Sequence, residues 1–108
     1  MVVCVPVTAE GEVDPTWGRA ERLAIAVVEG GGISKWEEHQ VGWGELHDLS
    51  GEGGHHARVA RFLLDHGVQR VVAHHMGEPM VHMLGKMGLE VRLGAAGSAR
   101  RAVETQLS

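Results

Sequence analysis

The chain has 108 residues, of which 44% are hydrophobic and 22% are charged, and its formal net charge at pH 7 is −4. These values are typical of one soluble globular domain over residues 1–108, and an acidic chain with few aromatic residues lacks the basic face of a nucleic-acid-binding protein. No apolar run approaches the roughly 18 residues of a membrane span, and a single cysteine excludes an intramolecular disulfide. The composition therefore predicts a cytoplasmic protein without a nucleic-acid or membrane partner.

The first half of the chain predicts an antiparallel meander. Residues 1–7 form a continuous apolar run, which is typical of a strand buried on both faces. A loop over residues 8–20 precedes a second apolar strand at 23–28, and the glycines that follow predict a hairpin into a third strand at 33–41. Residues 42–54 contain five glycines, and we expect a loop there.

The second half of the chain alternates helices with strands. Apolar spacing, prolines and glycines predict helices over about residues 55–66, 79–87 and 98–107. Short apolar strands are predicted between them, at 68–73 and 89–93. Because such alternation is typical of parallel strands joined by right-handed crossovers, we expect an α/β domain with a mixed five-stranded sheet flanked by three helices.

The carboxyl ends of the three parallel strands predict where a ligand binds. The loops that follow those strands span residues 8–19, 74–78 and 94–98. The glycine-rich segment before the first predicted helix should reach the same edge. Helix N-termini also point there, and their free N–H groups favour an anion. Gly54 and Gly77 stand beside two of these termini and are candidate cofactor-binding residues.

Two pairs of histidines lie on this predicted edge. His55 and His56 begin the first predicted helix, whereas His74 and His75 follow the fourth strand and are themselves followed by Met76. Imidazole nitrogen and thioether sulfur are ligands for soft and borderline metals, so these five side chains are the candidate metal ligands. A histidine pair in a loop is also commonly solvent-exposed or bonded to backbone groups, and the sequence leaves that alternative open.

For other polar residues near this edge, the sequence gives weaker evidence of a role in binding. Arg19 and Arg58 are the cations best placed to bind an anionic ligand, with ordinary surface ion pairs as an equal alternative. Asp14 is predicted to shape a turn more readily than to orient a histidine. His39 and His47 have no partner in the sequence pattern, and no role at the site is predicted for them.

Motifs for common enzyme chemistries are missing from the sequence. The chain has neither the G-x-S-x-G nucleophile turn nor the phosphate-binding G-x-x-x-x-G-K-[ST] loop. The first and fourth predicted strands carry no Asp or Glu, which argues strongly against a two-metal nuclease. We therefore predict that the protein is not an enzyme.

Four segments of the chain occur in the order of a known family. They are CVPV at residues 4–7, WGRAERLAIAVVEGG at 17–31, GGHHARVARFLLDHGVQRVVA at 53–73 and GLEVRLGAAGSARRAVE at 88–104. Together they resemble the dinitrogenase iron–molybdenum cofactor biosynthesis family over nearly the whole chain. The resemblance implies a ribonuclease-H-like α/β fold and a small domain that binds a metal cluster non-covalently.

This resemblance also implies a cargo and partners. The cargo would be iron–molybdenum cofactor or a related molybdenum-containing or iron–sulfur cluster, and such a cluster is anionic. The protein would carry it between donor and acceptor proteins or store it. His74 and His75 depart from the family, whose members usually have glycine-rich sequence after the fourth strand. Since cluster ligands differ between members, the histidine set rests on its chemistry alone, and a single transition-metal ion is the alternative cargo.

Two further function classes are compatible with the sequence. A small-anion or nucleotide-type regulatory domain would use the helix termini with Arg19 and Arg58, and would bind no metal. An interaction module, which includes the case of a homodimer, would use Trp36 and Trp43 as exposed contact residues.

Overall fold

The computed structural model describes residues 1–105, and within them the chain forms five strands and three helices. The strands are β1 (Val2–Pro6), β2 (Arg22–Glu29), β3 (Gly32–Gln40), β4 (Arg70–Val72) and β5 (Glu90–Arg92). The helices are α1 (Trp43–Asp65), α2 (Glu78–Lys86) and α3 (Ala99–Thr105). The predicted continuation of the last helix to about residue 107 lies outside the described residues. None of these helices is long and apolar enough to cross a membrane.

The five strands form one sheet in the order β3-β2-β1-β4-β5. β1 pairs antiparallel with β2, and β2 pairs antiparallel with β3, whereas β1 with β4 and β4 with β5 are parallel. The predicted mixed five-stranded α/β architecture is confirmed. Its central strand is the apolar run at the start of the chain, because a strand covered on both faces needs an apolar residue at nearly every position.

Each face of the sheet has its own apolar core. Successive side chains of a strand point to opposite faces, so Cys4 packs on one face while Val3 and Val5 pack on the other. The Cys4 face is covered by α1 and α2, and the opposite face is covered by α3. Burial raises the pKa of the Cys4 thiol, which matches a packed side chain without a role as a ligand.

The prediction of a loop over residues 42–54 is wrong. α1 begins at Trp43, well before the predicted start at residue 55, and it is interrupted at Gly51, whose φ of 71° and ψ of 178° are not helical. Trp43 is 2% exposed and Leu46 packs against the same core, so burial of an apolar face stabilises a helix that the glycine content disfavours. The first helix therefore has one N-terminus at residue 43, and a second helical segment follows Gly51.

The two tryptophans predicted to be exposed both contact their own chain, to different extents. Trp43 is buried, and its ring meets that of Trp17 edge-on with centroids 5.4 Å apart. Trp36 is half-buried; the Arg100 guanidinium lies 4.6 Å above its ring, and its Nε1 donates a hydrogen bond of 2.9 Å to Glu38. The prediction of an exposed tryptophan surface is wrong for Trp43, because that side chain anchors α1 to the sheet.

Candidate functional site

A cavity of about 310 Å³ lies beside the ends of β1 and β4. Four parts of the chain line it: the loop after β1, both sides of the kink in α1, the loop after β4 and the first turn of α2. The lining residues are Pro15, Thr16, Trp17, Gly18, Arg19, His47, Glu52, His55, His56, His75, Met76, Gly77, Pro79 and Met80. The parallel pairing of β1 with β4 explains this convergence, because it brings the loops after both strands to the same edge.

Four of the five candidate metal ligands line this cavity, namely His55, His56, His75 and Met76. His75 is exposed, whereas Met76 is only 5% exposed. His74 is not part of the lining: its Nδ1 donates a hydrogen bond of 3.1 Å to the carbonyl oxygen of Ala95. The adjacent side chains of His74 and His75 thus have different surroundings.

His47 is a cavity residue for which the sequence analysis predicted no role. Its ring centroid lies 4.9 Å from that of His55, and the two rings meet edge-on. The residue was missed because its segment was predicted to be a loop. Trp43 and His47 are four positions apart, which places both on one face of a helix, and this spacing is the signal that a helical prediction would have used.

His55 is the most enclosed polar side chain at the site. It is 1% exposed, its ring meets that of Trp43 edge-on at 5.6 Å, and its Nδ1 lies 3.0 Å from Arg58 Nη1. Burial lowers the pKa of His55 below its ordinary value of 6.5; the backbone of Gly18 opposes this effect, and positive charge on His47 and Arg58 adds to it. At pH 7 the His55 imidazole is therefore neutral.

The neighbouring His56 has a different environment. Its Nε2 lies 3.8 Å from a carboxylate oxygen of Glu52, one helical turn earlier. The His56 side chain is about a quarter exposed and that of Glu52 is mostly exposed, so both can respond to a guest in the cavity. Glu52 is the one carboxylate among the lining residues.

The two candidate arginines are both engaged within the chain. Arg19 lines the cavity and donates a hydrogen bond of 2.6 Å to Asp48, and this guanidinium lowers the pKa of the Asp48 carboxyl. Arg58 is not a lining residue; besides His55, it donates a hydrogen bond of 3.0 Å to Ser50 Oγ. Arg19 thus forms a surface ion pair, the alternative that the sequence left open.

The two candidate glycines also differ in whether they line the cavity, and Asp14 lies in a turn. Gly77 lines the cavity, whereas Gly54 lies outside the lining, on the side of the helix that faces Ser50. Asp14 Oδ1 accepts hydrogen bonds from the backbone N–H and the hydroxyl of Thr16, at 2.8 and 2.7 Å. These bonds confirm that Asp14 shapes a turn.

The polar groups around the cavity are spread over its walls. Within residues 1–105, no three or more His, Cys, Asp and Glu side chains lie close enough together to hold a metal ion. The imidazoles come from both segments of α1 and from the loop after β4. The cavity is therefore lined by separated donors, without a preformed four-coordinate centre.

The whole chain, residues 1–108, matches a family model described as dinitrogenase iron-molybdenum cofactor. The chain belongs to this family. No curated protein matches the chain significantly.

Three solved structures have similar folds. The crystal structure of PH0822 has a TM-score of 0.78 and 20% identity, and the match covers 97% of this chain and 88% of that one. The apo form of the orange protein from Desulfovibrio gigas has a TM-score of 0.76, 22% identity, and coverage of 98% and 86%. The NMR structure of TM1290 from Thermotoga, a DUF35-family protein, has a TM-score of 0.73, 21% identity, and coverage of 96% and 84%. At these identities the similarity shows the fold alone.

Proposed function

We propose that this protein binds an anionic metal cluster in the cavity and carries or stores it without catalysing a reaction. The cluster would be iron–molybdenum cofactor or a related molybdenum-containing or iron–sulfur cluster. The observation that supports this function is the lining of one cavity by four imidazoles and two thioethers, in a chain of the iron-molybdenum cofactor family. Donor and acceptor proteins, a cytoplasmic location and the ribonuclease-H-like description of the fold stay predictions.

His75, His56 and Met76 are the favoured metal ligands. His75 is exposed and lines the cavity, so its ring can turn toward a guest without unpacking the core. Nε2 of His56 lies 3.8 Å from the exposed Glu52 carboxylate, and Met76 supplies a soft thioether to the lining. His74 could act as a ligand at this cavity only after releasing the Ala95 carbonyl, so its more direct role is to position the loop.

The arrangement favours a cluster over a single metal ion. A single ion of zinc type needs three or four donors that converge on one point at about 2.0–2.3 Å. The donors here are spread around a cavity of about 310 Å³, and the described residues hold no such convergent group. A guest with several outer atoms can contact several walls at once, which suits separated donors.

The alternative of a small-anion or nucleotide-binding regulatory domain has less support. It uses the helix termini together with Arg19 and Arg58, and both guanidinium groups already donate hydrogen bonds within the chain. The alternative predicts that phosphate-bearing ligands raise the melting temperature of the metal-free protein.

Anaerobic purification followed by metal analysis and visible absorption tests the proposed function. We expect bound molybdenum or iron, or, for metal-free protein, binding of added tetrathiomolybdate. The variant His75→Ala should bind this probe about 10- to 100-fold more weakly, on the scale of losses at metal sites, with little change in melting temperature. His82→Ala is the matched control, because His82 is an exposed histidine on α2 outside the lining.

The outcome that would contradict the proposal is also specific. Protein that contains no metal, does not bind the probe and is stabilised by phosphate-bearing ligands would be a regulatory domain. Equal binding by the two histidine variants would remove His75 from the ligand set.

A further inference from the structure

The hydrogen bond between Arg58 and His55 fixes the position of a proton. Arg58 Nη1 lies 3.0 Å from His55 Nδ1. A guanidinium has five N–H donors and no acceptor, so Nδ1 must accept this bond and can carry no proton. A neutral imidazole carries one proton, which in His55 therefore lies on Nε2.

Nε2 of His55 is a buried atom of a cavity-lining residue. The Gly18 backbone lies near enough to favour protonation of the ring, but it forms no hydrogen bond of ordinary length and angle with Nε2. The atom is inaccessible to solvent and has no hydrogen-bond partner within residues 1–105. It faces Gly18, where an added Cβ would lie 3.8 Å from it, and both residues line the cavity. Since buried donors in folded proteins nearly always have an acceptor, this N–H would bond to a guest atom that enters by displacing the Gly18 segment from it.

We infer that His55 binds the guest as a hydrogen-bond donor through its Nε2–H, and that it is not a metal ligand. The guest must then present an acceptor atom of an anion, a sulfide or an oxo group, to the Gly18 side of the cavity. This inference rests on the proposed function and deepens it. His55 recognises the outer atoms of the cluster, while the ligands to the metal are other residues of the lining.

The partner of the second ring nitrogen distinguishes a donor from a ligand. A histidine that binds a metal through one nitrogen almost always donates the N–H of the other to a carboxylate, a carbonyl or water. Arg58 cannot accept such a bond. To bind a metal through Nε2, His55 would have to move its proton to Nδ1 and give up the Arg58 hydrogen bond inside a buried site.

His74 illustrates the opposite case. Its Nδ1 lies 3.1 Å from the Ala95 carbonyl oxygen, which can only accept, so Nδ1 carries a proton and the neutral ring leaves Nε2 unprotonated. This is the tautomer that a metal ligand needs, but the residue lies outside the lining. Of these two histidines, His55 is the one that lines the cavity, and it is therefore the one whose Nε2 carries the proton.

The tautomer can be measured directly. In ¹⁵N-labelled metal-free protein at neutral pH, long-range ¹⁵N–¹H correlation spectra distinguish a protonated Nε2 from a protonated Nδ1. We expect His55 to be the Nε2–H tautomer and His74 to be the Nδ1–H tautomer. A protonated Nδ1 at His55 would overturn the inference.

Binding of two simple anions tests the donor role. Tetrathiomolybdate presents sulfide acceptors and molybdate presents oxo acceptors. The variant Gly18→Ala places a methyl group in ordinary contact distance of Nε2 and leaves His55 intact, so it should weaken binding about tenfold, on the scale of one charge-assisted hydrogen bond. Gly85→Ala in α2 is the control, since an added Cβ there meets nothing within 4 Å and the residue lies outside the lining.

Substitution of His55 itself separates a donor from a ligand. The amide of His55→Gln can still donate, so this variant should bind within about threefold of the unsubstituted protein, whereas His55→Leu should lose about tenfold or more. Equal losses in both variants would make His55 a metal ligand and overturn the inference. If tetrathiomolybdate binds more tightly than molybdate, the acceptor is a sulfide; if molybdate binds more tightly, the acceptor is an oxo group. Either result supports the inference.

Failure of this inference is distinguishable from failure of the proposed function. If the unsubstituted protein binds tetrathiomolybdate and neither Gly18→Ala nor His55→Leu weakens binding relative to Gly85→Ala, the inference alone is wrong. If the unsubstituted protein binds neither anion and contains no metal after anaerobic purification, the proposed function is wrong and the inference falls with it.

Discussion

Six of the eight histidines form two groups beside α1, and the two groups differ in the charges around them. The cavity histidines are His47, His55, His56 and His75. The second group is His39 on β3 and His66 at the end of α1; their rings meet edge-on with centroids 4.6 Å apart, and the His66 ring stacks on Phe62 at 4.3 Å. His66 also lines a second hollow of about 280 Å³, so neither imidazoles nor space distinguishes the two regions.

The carboxylates do distinguish them. The hollow beside His66 is lined by Glu37 and Asp65, with Lys35 in an ion pair of 3.0 Å to Glu37. The cavity at the sheet edge has Glu52 as its one lining carboxylate. An anionic guest would meet two carboxylates and one ammonium group at the hollow, but one carboxylate and one guanidinium group beside the imidazoles of the cavity. The comparison teaches that the charge around a histidine, more than the number of histidines, decides which group suits an anionic cluster.

Replacement of the tryptophan that connects the two groups should have the largest effect. The Trp43 ring meets His55 at 5.6 Å and Phe62 at 5.8 Å, and Phe62 in turn stacks on His66. Because Trp43 is fully buried, Trp43→Ala should lower the free energy of unfolding by about 3–5 kcal/mol in urea titrations.

The half-buried Trp36 offers the matched control. Trp36→Ala should cost clearly less, because that ring already contacts solvent and leaves a smaller cavity. Equal losses in the two variants would show that the link between the histidine groups has no special place in the core.

Removal of one carboxylate from each region should have an intermediate effect on binding. Glu52→Gln removes the lining carboxylate of the cavity and should strengthen tetrathiomolybdate binding about two- to threefold at low salt, because an exposed like charge contributes a modest repulsion. Glu37→Gln at the second hollow should leave the affinity unchanged. An equal gain from Glu37→Gln would place the anion at the wrong region, or at both.

The smallest predicted effect is on the pH dependence of stability. It should differ between His55 at the cavity and Glu37 at the second hollow. The folded, metal-free protein holds the pKa of His55 below 6.5, so it binds fewer protons than the unfolded chain just below that pH. Stability should therefore fall as the pH drops through about 6.5 toward the lowered pKa. Lys35 lowers the pKa of Glu37 below 4.5, so the contribution of Glu37 is present above pH 4.5 and is lost as the pH falls through its lowered pKa.

Urea midpoints measured at several pH values test both assignments. His55→Gln should flatten the decrease near pH 6 and leave the acid limb, whereas Glu37→Gln should do the reverse. An unchanged pH profile in His55→Gln would show that burial does not shift the titration of His55.

The candidate site was only partly predictable from the sequence. His55, His56, His75 and Met76 were predicted on the correct edge, because the ends of parallel strands and the helix that follows converge there. His47 was missed because five glycines in residues 42–54 outweighed the spacing of Trp43, whose burial supplies the energy that forms the helix. Local composition does not report such a distant contact.

The sheet and its mixed pairing were predictable from local sequence patterns. A continuous apolar run specifies a central strand, glycines with positive φ specify the hairpin between β2 and β3, and alternation of helices with strands specifies the parallel half. These features follow from neighbouring residues, because burial on two faces and turn geometry are local demands.

The folded chain alone establishes which imidazoles share a cavity and where their protons lie. Gly18 faces His55 across 37 positions of sequence, and the Ala95 carbonyl holds His74 across 21. A hydrogen bond such as that of His74 acts over about 3 Å. A tautomer or a cavity wall therefore depends on atoms that the folded backbone brings together, and the spacing of residues along the chain does not reveal them.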